Sequence, residues 1–352
     1  MPASPRRTTL ATVAASAGVS VATVSKVLNG RGDVSPVTRS LVESLLEQHD
    51  YVALPQRRRG DRGDRGDTAV PATIEVELDA DLNPYSTEIV QGAVRAGAET
   101  DAAIVVSIRT NADRTGGWAR GLATAGRRAV IAITSELTAG QLAALSRARV
   151  PLVVIDPLNL PQTRGVISVG STNFAGGLAA TQHLLALGHR RIAYLGGPVT
   201  AACNQARLHG YRAAMEAAGA PVPPGHVRAG HFHYQEGVTG GAALLDLPEP
   251  PTAVFTGCDD IALGVLEAAR ARGVRVPEDL SIVGFDDTQV ARMASPPLTT
   301  VRQPLREMGG VAVRTALRLA AGERVDSHHV ELATELVVRG STAPLGGPSG
   351  RG

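Results

Sequence analysis

Apolar residues in the first fifty positions recur at helical spacing and are punctuated by caps. Leu10, Val13, Ala14 and Ala17 share one face of a helix over about 10–17, with Thr9 as its cap. Gly18 ends it, because glycine tolerates the positive φ of a tight turn. Ser20 is placed to cap a second helix through about Asn29, with Val24, Val27 and Leu28 facing inward, and Asn29-Gly30 is a turn signal. Ser35 as cap and Pro36 at the first helical position start a third helix, whose apolar stripe reads Val37, Leu41, Val42, Leu45 and Leu46.

From Pro71 onward the pattern changes to short apolar runs alternating with helical stretches. The runs predict strands at 73–78, 103–108, 129–133, 151–155, 191–195, 253–256 and 280–285. Between them lie helical stretches such as 86–100, 175–187, 206–218 and 261–272. Such alternation means an α/β fold of parallel sheets flanked by helices, and its length exceeds one comfortable sheet, so two lobes are expected. Ligands of open parallel sheets bind beyond the carboxyl ends of the strands, which makes the cleft between two lobes the natural pocket.

Residues 53–71 belong to neither pattern. Arginine, glycine and aspartate repeat there with glycines that disfavour helix, and a flexible linker is expected. Its Arg-Gly-Asp triplets match a cell-adhesion signal, but a solvated repeat is the better account in a chain with no export signal. The domain reading is therefore a head at 1–52, a linker at 53–71, a two-lobed core at 72–345 and a tail at 346–352. Within the core, one lobe takes about 72–172 and 302–330, the other about 173–301 and 331–345.

Composition narrows the class. The 352 residues are 43% hydrophobic and 19% charged, enough to bury a core and too apolar for a disordered chain. No apolar run is long enough for a membrane span, and the N-terminus lacks a secretory signal. Two cysteines, Cys203 and Cys258, make no disulfide framework, so a reducing cytoplasm is expected. Of the net charge of +2, the first 59 residues carry eight bases against four acids, so the head alone suggests a polyanionic partner.

Two helices joined at Ala17-Gly18-Val19 form a helix-turn-helix, whose second helix can lie in the DNA major groove. Its outward set is Val21, Ala22, Ser25, Lys26 and Asn29. Lys26 can donate to guanine, and Val21 and Ala22 can touch thymine methyls. Ser20, Thr23 and Asn29 suit phosphate contacts, with Thr9 at the start of the first helix. A three-helix module for protein contact is the alternative.

The run from Thr9 to Gly30, TLATVAASAGVSVATVSKVLNG, resembles the head of the LacI/GalR family of bacterial transcription regulators, and Val34 to Arg39 and Tyr51 extend the match. In the body, Asn83-Pro84-Tyr85, Gly188 to Ala193, Val276 to Asp287, Pro297 to Val301 and Glu335 to Thr342 resemble the same family, so the likeness spans about 8–343. The resemblance implies a homodimer with two heads on a near-palindromic operator. It also implies a core like the periplasmic sugar-binding proteins, no cofactor, and a small effector between the lobes, here a mono- or oligosaccharide. A purine, nucleoside or other metabolite, or a co-repressor arrangement, is the alternative. Two departures stand out. Many members carry arginine where Lys26 stands. Relatives place a minor-groove leucine where this chain has Gly60, so Arg57, Arg58 and Arg59 are candidates to enter that groove instead, against a tether that touches no bases.

The resemblance also places the effector contacts. Arg207 matches the family's ligand-binding arginine, Asp286 its carboxylate acceptor and Phe232 its aromatic platform, with Asn83, Tyr85 and Asp156 contributed by the first lobe. Cys258 stands where many relatives have asparagine, and Cys203 falls near a pocket position. Trp118, the single tryptophan, can stack on a sugar or simply pack.

Catalytic classes find little support. The chain lacks a dinucleotide fingerprint, a phosphate loop and a nucleophile elbow. His231 and His233 would share a face of a strand, but two histidines without further ligands make a poor zinc site. Asp259-Asp260 and Asp286-Asp287 suit acid–base chemistry, yet one of each pair is expected to cap a helix or turn after a strand. An exported binding protein is permitted by the body and opposed by the head.

Overall fold

A computed structural model describes residues 10–28, 34–48, 71–79, 82–109, 118–158 and 166–346. The chain forms two compact units, Met1–Thr68 and Ala69–Gly352. The expected contacts at Thr9, Asn29, Arg57, Arg58 and Arg59 lie outside the described residues, as does the 53–70 linker.

Among the described residues of the first unit are three helices: α1 (Leu10–Ala17), α2 (Val21–Leu28) and α3 (Pro36–Gln48). Gly18 takes φ +65°, its amide donates to Ala15 O, and the Val19 amide reaches back to Ala14 O, which closes α1 and turns the chain into α2. The Thr23 amide donates to Ser20 Oγ at 3.1 Å and the Thr38 amide to Ser35 Oγ at 3.2 Å, so both expected caps are in place. Val13, Ala14, Val24, Val27 and Val42 form the core. The expected stripe of α3 needs correction. Val37 and Leu41 are exposed, Val42 is fully buried and Leu45 partly so, because α3 rests on the short α1–α2 pair with a narrow face.

The described residues of the second unit form two six-stranded sheets. The first orders as β11-β5-β4-β3-β1-β2, with β1 (Ala72–Leu78), β2 (Ala102–Ile108), β3 (Arg127–Ile133), β4 (Leu152–Ile155), β5 (Ile167–Ser171) and β11 (His329–Leu332). The second orders as β12-β10-β9-β8-β6-β7, with β6 (Ile192–Gly196), β7 (Val227–Ala229), β8 (Ala253–Thr256), β9 (Ser281–Asp286), β10 (Thr299–Arg302) and β12 (Glu335–Val337). All neighbours are parallel except β10 and β12. Since β11 pairs with β5, the first sheet's chain runs to Leu332, just past the expected changeover at 330.

Helices cover both faces. On the first sheet α4 (Pro84–Glu99) and α12 (Leu305–Ala320) bury Ile89, Met308 and Val313 against Ile74, Val76 and Ile131. On the opposite face of that sheet, α5 (Trp118–Thr124) and α6 (Ala139–Ala148) cover Val130, Leu152 and Val154. The second sheet is flanked on one side by α7 (Asn173–Ala186) and α8 (Ala202–Ala217). Its other side carries α9 (Tyr234–Leu245), α10 (Asp259–Ala271) and α11 (Gln289–Met293). Backbone meets backbone in three of these helix pairs, Gly237 and Gly264 seating α9 against α10. A Cβ at Gly177 would overlap the Arg207 carbonyl, and one at Gly210 the Phe174 carbonyl; Gly92 and Gly309 seat α4 and α12 in the same reciprocal way.

Both sheets reverse strand order at one place, between β1 and β3 in the first and between β6 and β8 in the second. Chain ends at such points leave a crevice beyond the strands' carboxyl ends, the usual ligand position of open α/β sheets. Among the described residues, no helix is long and apolar enough to cross a membrane.

Candidate functional site

A cavity of about 250 Å³ occupies that position between the two sheets. Leu78 at the end of β1, Asp79 just after it, Thr134 after β3 and Asp156 after β4 line it from one side. Pro198 after β6, Cys258 after β8 and Asp286 at the end of β9 line it from the other. Thr134 (φ 48°), Asp156 (φ 42°) and Asp286 (φ 114°) hold backbone conformations that non-glycine residues rarely adopt. Such strain concentrates where a fold must present a side chain to a ligand.

All eight residues expected at an effector site come together here: Asn83, Tyr85, Asp156, Cys203, Arg207, Phe232, Cys258 and Asp286. Asn83 has two tasks, because its Oδ1 also accepts the Ser86 amide at 2.9 Å and caps α4. The Tyr85 hydroxyl donates to Asp156 Oδ2 at 2.7 Å. Burial lifts the Asp156 carboxyl above the usual carboxylate range, against the pull of Arg207 and of this hydrogen bond.

Arg207 projects from α8 into the lobe interface. Its Nε donates to Asn173 Oδ1 at 2.7 Å and an Nη to the Gly257 carbonyl. The guanidinium stacks 3.8 Å from the Phe285 ring centroid and 5.8 Å from that of Phe232. Burial disfavours its charge, but the acidic neighbours Cys203, Asp286 and Asp156 outweigh that and raise its pKa. Asp286 lies 3.9 Å away, and burial pushes its carboxyl well up despite the cation. Phe232 packs where Gly197 leaves room, since a Cβ there would meet its ring. The Cys203 thiol is pushed up to about 11 by burial, and Cys258 is also raised, so both stay protonated and supply soft, weakly polar surface.

Of its two expected roles Trp118 takes the packing one, and three other expectations are overturned. Trp118 does not line the cavity: it packs beside the α5–α6 cluster and its Nε1 donates to Glu77 at 2.6 Å, because α5 covers the far face of the first sheet. His231 and His233 are in the loop before α9 rather than in a strand, since β7 ends at Ala229; both line the cavity, their rings 6.1 Å apart. Asp259 caps no helix. Cys258 occupies the N-cap position, and Asp259 accepts from the Thr288 amide, the Thr288 hydroxyl and the Thr300 hydroxyl. Asp287 caps nothing either, being clasped by Arg302 at 2.7 Å and by Arg339. Each aspartate pair thus divides its labour: Asp260 and Asp286 face the cavity, Asp259 and Asp287 tie strand ends together. Asp79, Thr134, Leu158 and Pro198 are cavity residues that the sequence reading missed. Their signal is positional, as each closely follows an apolar strand.

In the head, Val21 and Ala22 are exposed on α2 and Lys26 is half-buried, while Val24 and Val27 face the core. Ser20 and Thr23 join side chains at 2.9 Å at the start of α2, and Ser25 also belongs to that helix. The arrangement leaves a small, mixed surface at the front of a capped helix, as a groove-reading helix requires.

Comparison with known proteins finds relatives of both units. Residues 9–53 match the model of bacterial regulatory proteins of the lacI family, and residues 181–342 match a periplasmic binding protein-like domain. The HTH-type transcriptional regulator CelR of Thermobifida fusca is 37% identical over 96% of this chain and 98% of its own length. The solved transcriptional regulator CelR–cellobiose complex superposes with a TM-score of 0.71 at 35% identity, over 95% of this chain and all of that one. The lac repressor dimer bound to operator and the anti-inducer ONPF gives 0.68 at 27% identity, over 96% and 100%.

Proposed function

Since the chain belongs to the LacI family of bacterial regulatory proteins, and so is a ligand-responsive transcriptional regulator rather than an enzyme, we propose that it is a cytoplasmic repressor of sugar-uptake or sugar-hydrolysis genes. It binds a near-palindromic operator as a homodimer and is released by an uncharged mono- or oligosaccharide held between its lobes. The observation that carries the effector reading is the convergence of Arg207, Asp286, Asp156, Tyr85 and Phe232 on one cavity. Carboxylates and a guanidinium beside an aromatic ring suit the paired hydroxyls and apolar face of a sugar ring. The CelR structure, solved with cellobiose, makes a disaccharide the first probe.

The balance of charge argues for a neutral ligand. Among the described lining residues, Asp79 is paired with Arg109, while Asp156, Asp260 and Asp286 stand against one guanidinium, Arg207, which already donates to Asn173 and Gly257. A phosphorylated sugar would need an open bidentate fork and would meet excess negative charge.

On DNA, Val21, Ala22, Ser25 and Lys26 read base edges, while Thr9, Ser20, Thr23 and Asn29 hold phosphates, and Arg57, Arg58 and Arg59 enter the minor groove. Two heads tethered in one dimer match two half-sites, and the second contact becomes intramolecular. The sugar acts by binding one lobe arrangement more tightly than the other.

A thermal-shift screen of the full chain tests this reading, using pentoses, hexoses and their oligomers, cellobiose among them, alongside phosphorylated counterparts and nucleosides. A neutral sugar is expected to raise Tm and its phosphate to leave it unchanged. A shift with nucleosides alone would overturn the sugar assignment.

A further inference from the structure

Three short segments carry the chain between the sheets: Thr172 after β5, Gln303-Pro304 after β10 and Ala333-Thr334 after β11. They are bonded to one another. The Thr172 amide donates to the Leu332 carbonyl at 2.9 Å, and the Thr334 amide to the Thr172 hydroxyl at 2.9 Å. The Ser171 hydroxyl donates to Gln303 Oε1.

The cavity's charged pair plugs into this belt at two points. Arg207 Nε donates to Asn173 Oδ1 at 2.7 Å, and Asn173 Nδ2 donates to the Ser171 carbonyl at 3.0 Å. Gln303 Nε2 donates to Asp286 Oδ1 at 2.6 Å, and the Gln303 amide donates to the Asp286 carbonyl at 3.2 Å. The 3.9 Å approach of Arg207 to Asp286 closes a ring through Ser171, Asn173, Arg207, Asp286 and Gln303, every member of it buried. Its polarity is fixed. A guanidinium only donates and a backbone carbonyl only accepts, so the Asn173 carboxamide cannot flip, and Gln303 is held between the Ser171 hydroxyl that donates to its Oε1 and the Asp286 Oδ1 that accepts from its Nε2.

We propose that Asn173 and Gln303 are positioning residues that transmit occupancy of the cavity to the crossovers. A ligand whose hydroxyls compete for Arg207 and Asp286 moves the two atoms to which these carboxamides are bonded. Both carboxamides sit at the crossovers themselves, Gln303 within one and Asn173 directly after another, so the two segments shift together. The role in signalling rests on the effector reading above, whereas the coupling within the ring does not.

Hydrogen exchange of the full chain, without ligand, separates the two. The variants are Arg207→Met, Gln303→Met and the double substitution, read at the amides of Gln303 and Leu305, with Ile131 and Val153 as a fold control. Gln303→Met is expected to speed exchange at the crossover by about tenfold. Arg207→Met, whose side chain bonds to Asn173 rather than to Gln303, is expected to do nearly as much, with the double variant adding less than about threefold more. An unchanged crossover in Arg207→Met, or effects that multiply, would overturn the ring. Should the control amides also open, Arg207→Lys replaces Arg207→Met and is read in the same way. In a second arm, cellobiose protects the crossover amides of the wild type and fails to protect those of Gln303→Met at saturating sugar. Absence of cellobiose binding counts against the effector reading only, and the exchange cycle still decides the coupling.

Discussion

The Asp286 carboxylate lies 3.9 Å from the Arg207 guanidinium, yet takes its short hydrogen bond from Gln303, at 2.6 Å. The pair is close enough to hold charge and too loose to be a sealed ion pair. Both members can therefore turn to a ligand's hydroxyls at small cost, because their other hydrogen bonds persist. Arg207→Met keeps the bulk of the stem and removes every donor. It is expected to weaken sugar binding by about 3 kcal/mol, roughly a hundredfold in Kd, by calorimetry. Unchanged affinity would place the ligand elsewhere.

Lys26 is the charged residue of α2 and is half-buried there. Lys26→Ala is expected to cost about 1–3 kcal/mol of operator binding and to relax the base preference at one position in each half-site. Binding selection on a randomised duplex measures it. A uniform loss across sequences would mean that Lys26 contacts phosphate.

Asp259 gives the core a pH signature. Burial lifts its carboxyl to about 7, against the hydrogen bonds from Thr300 and Thr288. The folded state thus holds a proton that the unfolded chain releases near pH 4, so this group's contribution to stability falls as pH rises from about 4 to 7. Asp259→Asn lacks that proton. The Tm difference, variant minus wild type, is expected to grow between pH 5 and 8 by roughly 5 °C, the equivalent of about 2 kcal/mol. His183 and His189, whose pKa values burial lowers, titrate in both proteins and cancel in the difference.

Much of this architecture is legible in the chain because continuous apolar runs mark strands buried on both faces. Val130 to Ile133 and Ile282 to Phe285 are of that kind. The strands outside the predicted set are β5, β7, β10, β11 and β12. They are short, or carry polar residues such as Ser168, Thr300 and Glu335, and their pairing is set by distant partners that local periodicity cannot see. The cavity residues were legible through motif resemblance, which located Arg207 and Asp286 but said nothing of Asn173 or Gln303. Polar residues with no charge and no spacing pattern acquire meaning only when the crossovers bring them together. The Asp259-Asp260 pair supplies no cap for a related reason: the Asp259 acceptors serve Thr288 and Thr300 across the sheet instead of the helix it begins.

Gly210→Ala probes the seam between α7 and α8. The added methyl would meet the Phe174 carbonyl, a backbone atom that cannot rotate away. A loss of about 2 kcal/mol is expected, roughly 5 °C in Tm, with sugar affinity reduced further because Arg207 sits in the same seam. Wild-type Tm in this variant would mean that the helices can part freely.

Those interlocked backbones, Gly177 with Gly210 in one lobe and Gly92 with Gly309 in the other, have a mechanical consequence. Helices seated so deeply cannot slide past each other without first separating, so each lobe travels as a slab. Rearrangement is then confined to the thin straps at Thr172, Gln303 and Thr334. Endurance and switching speed are lodged in different residues, and selection can adjust the tempo of the response without loosening the plates that it moves.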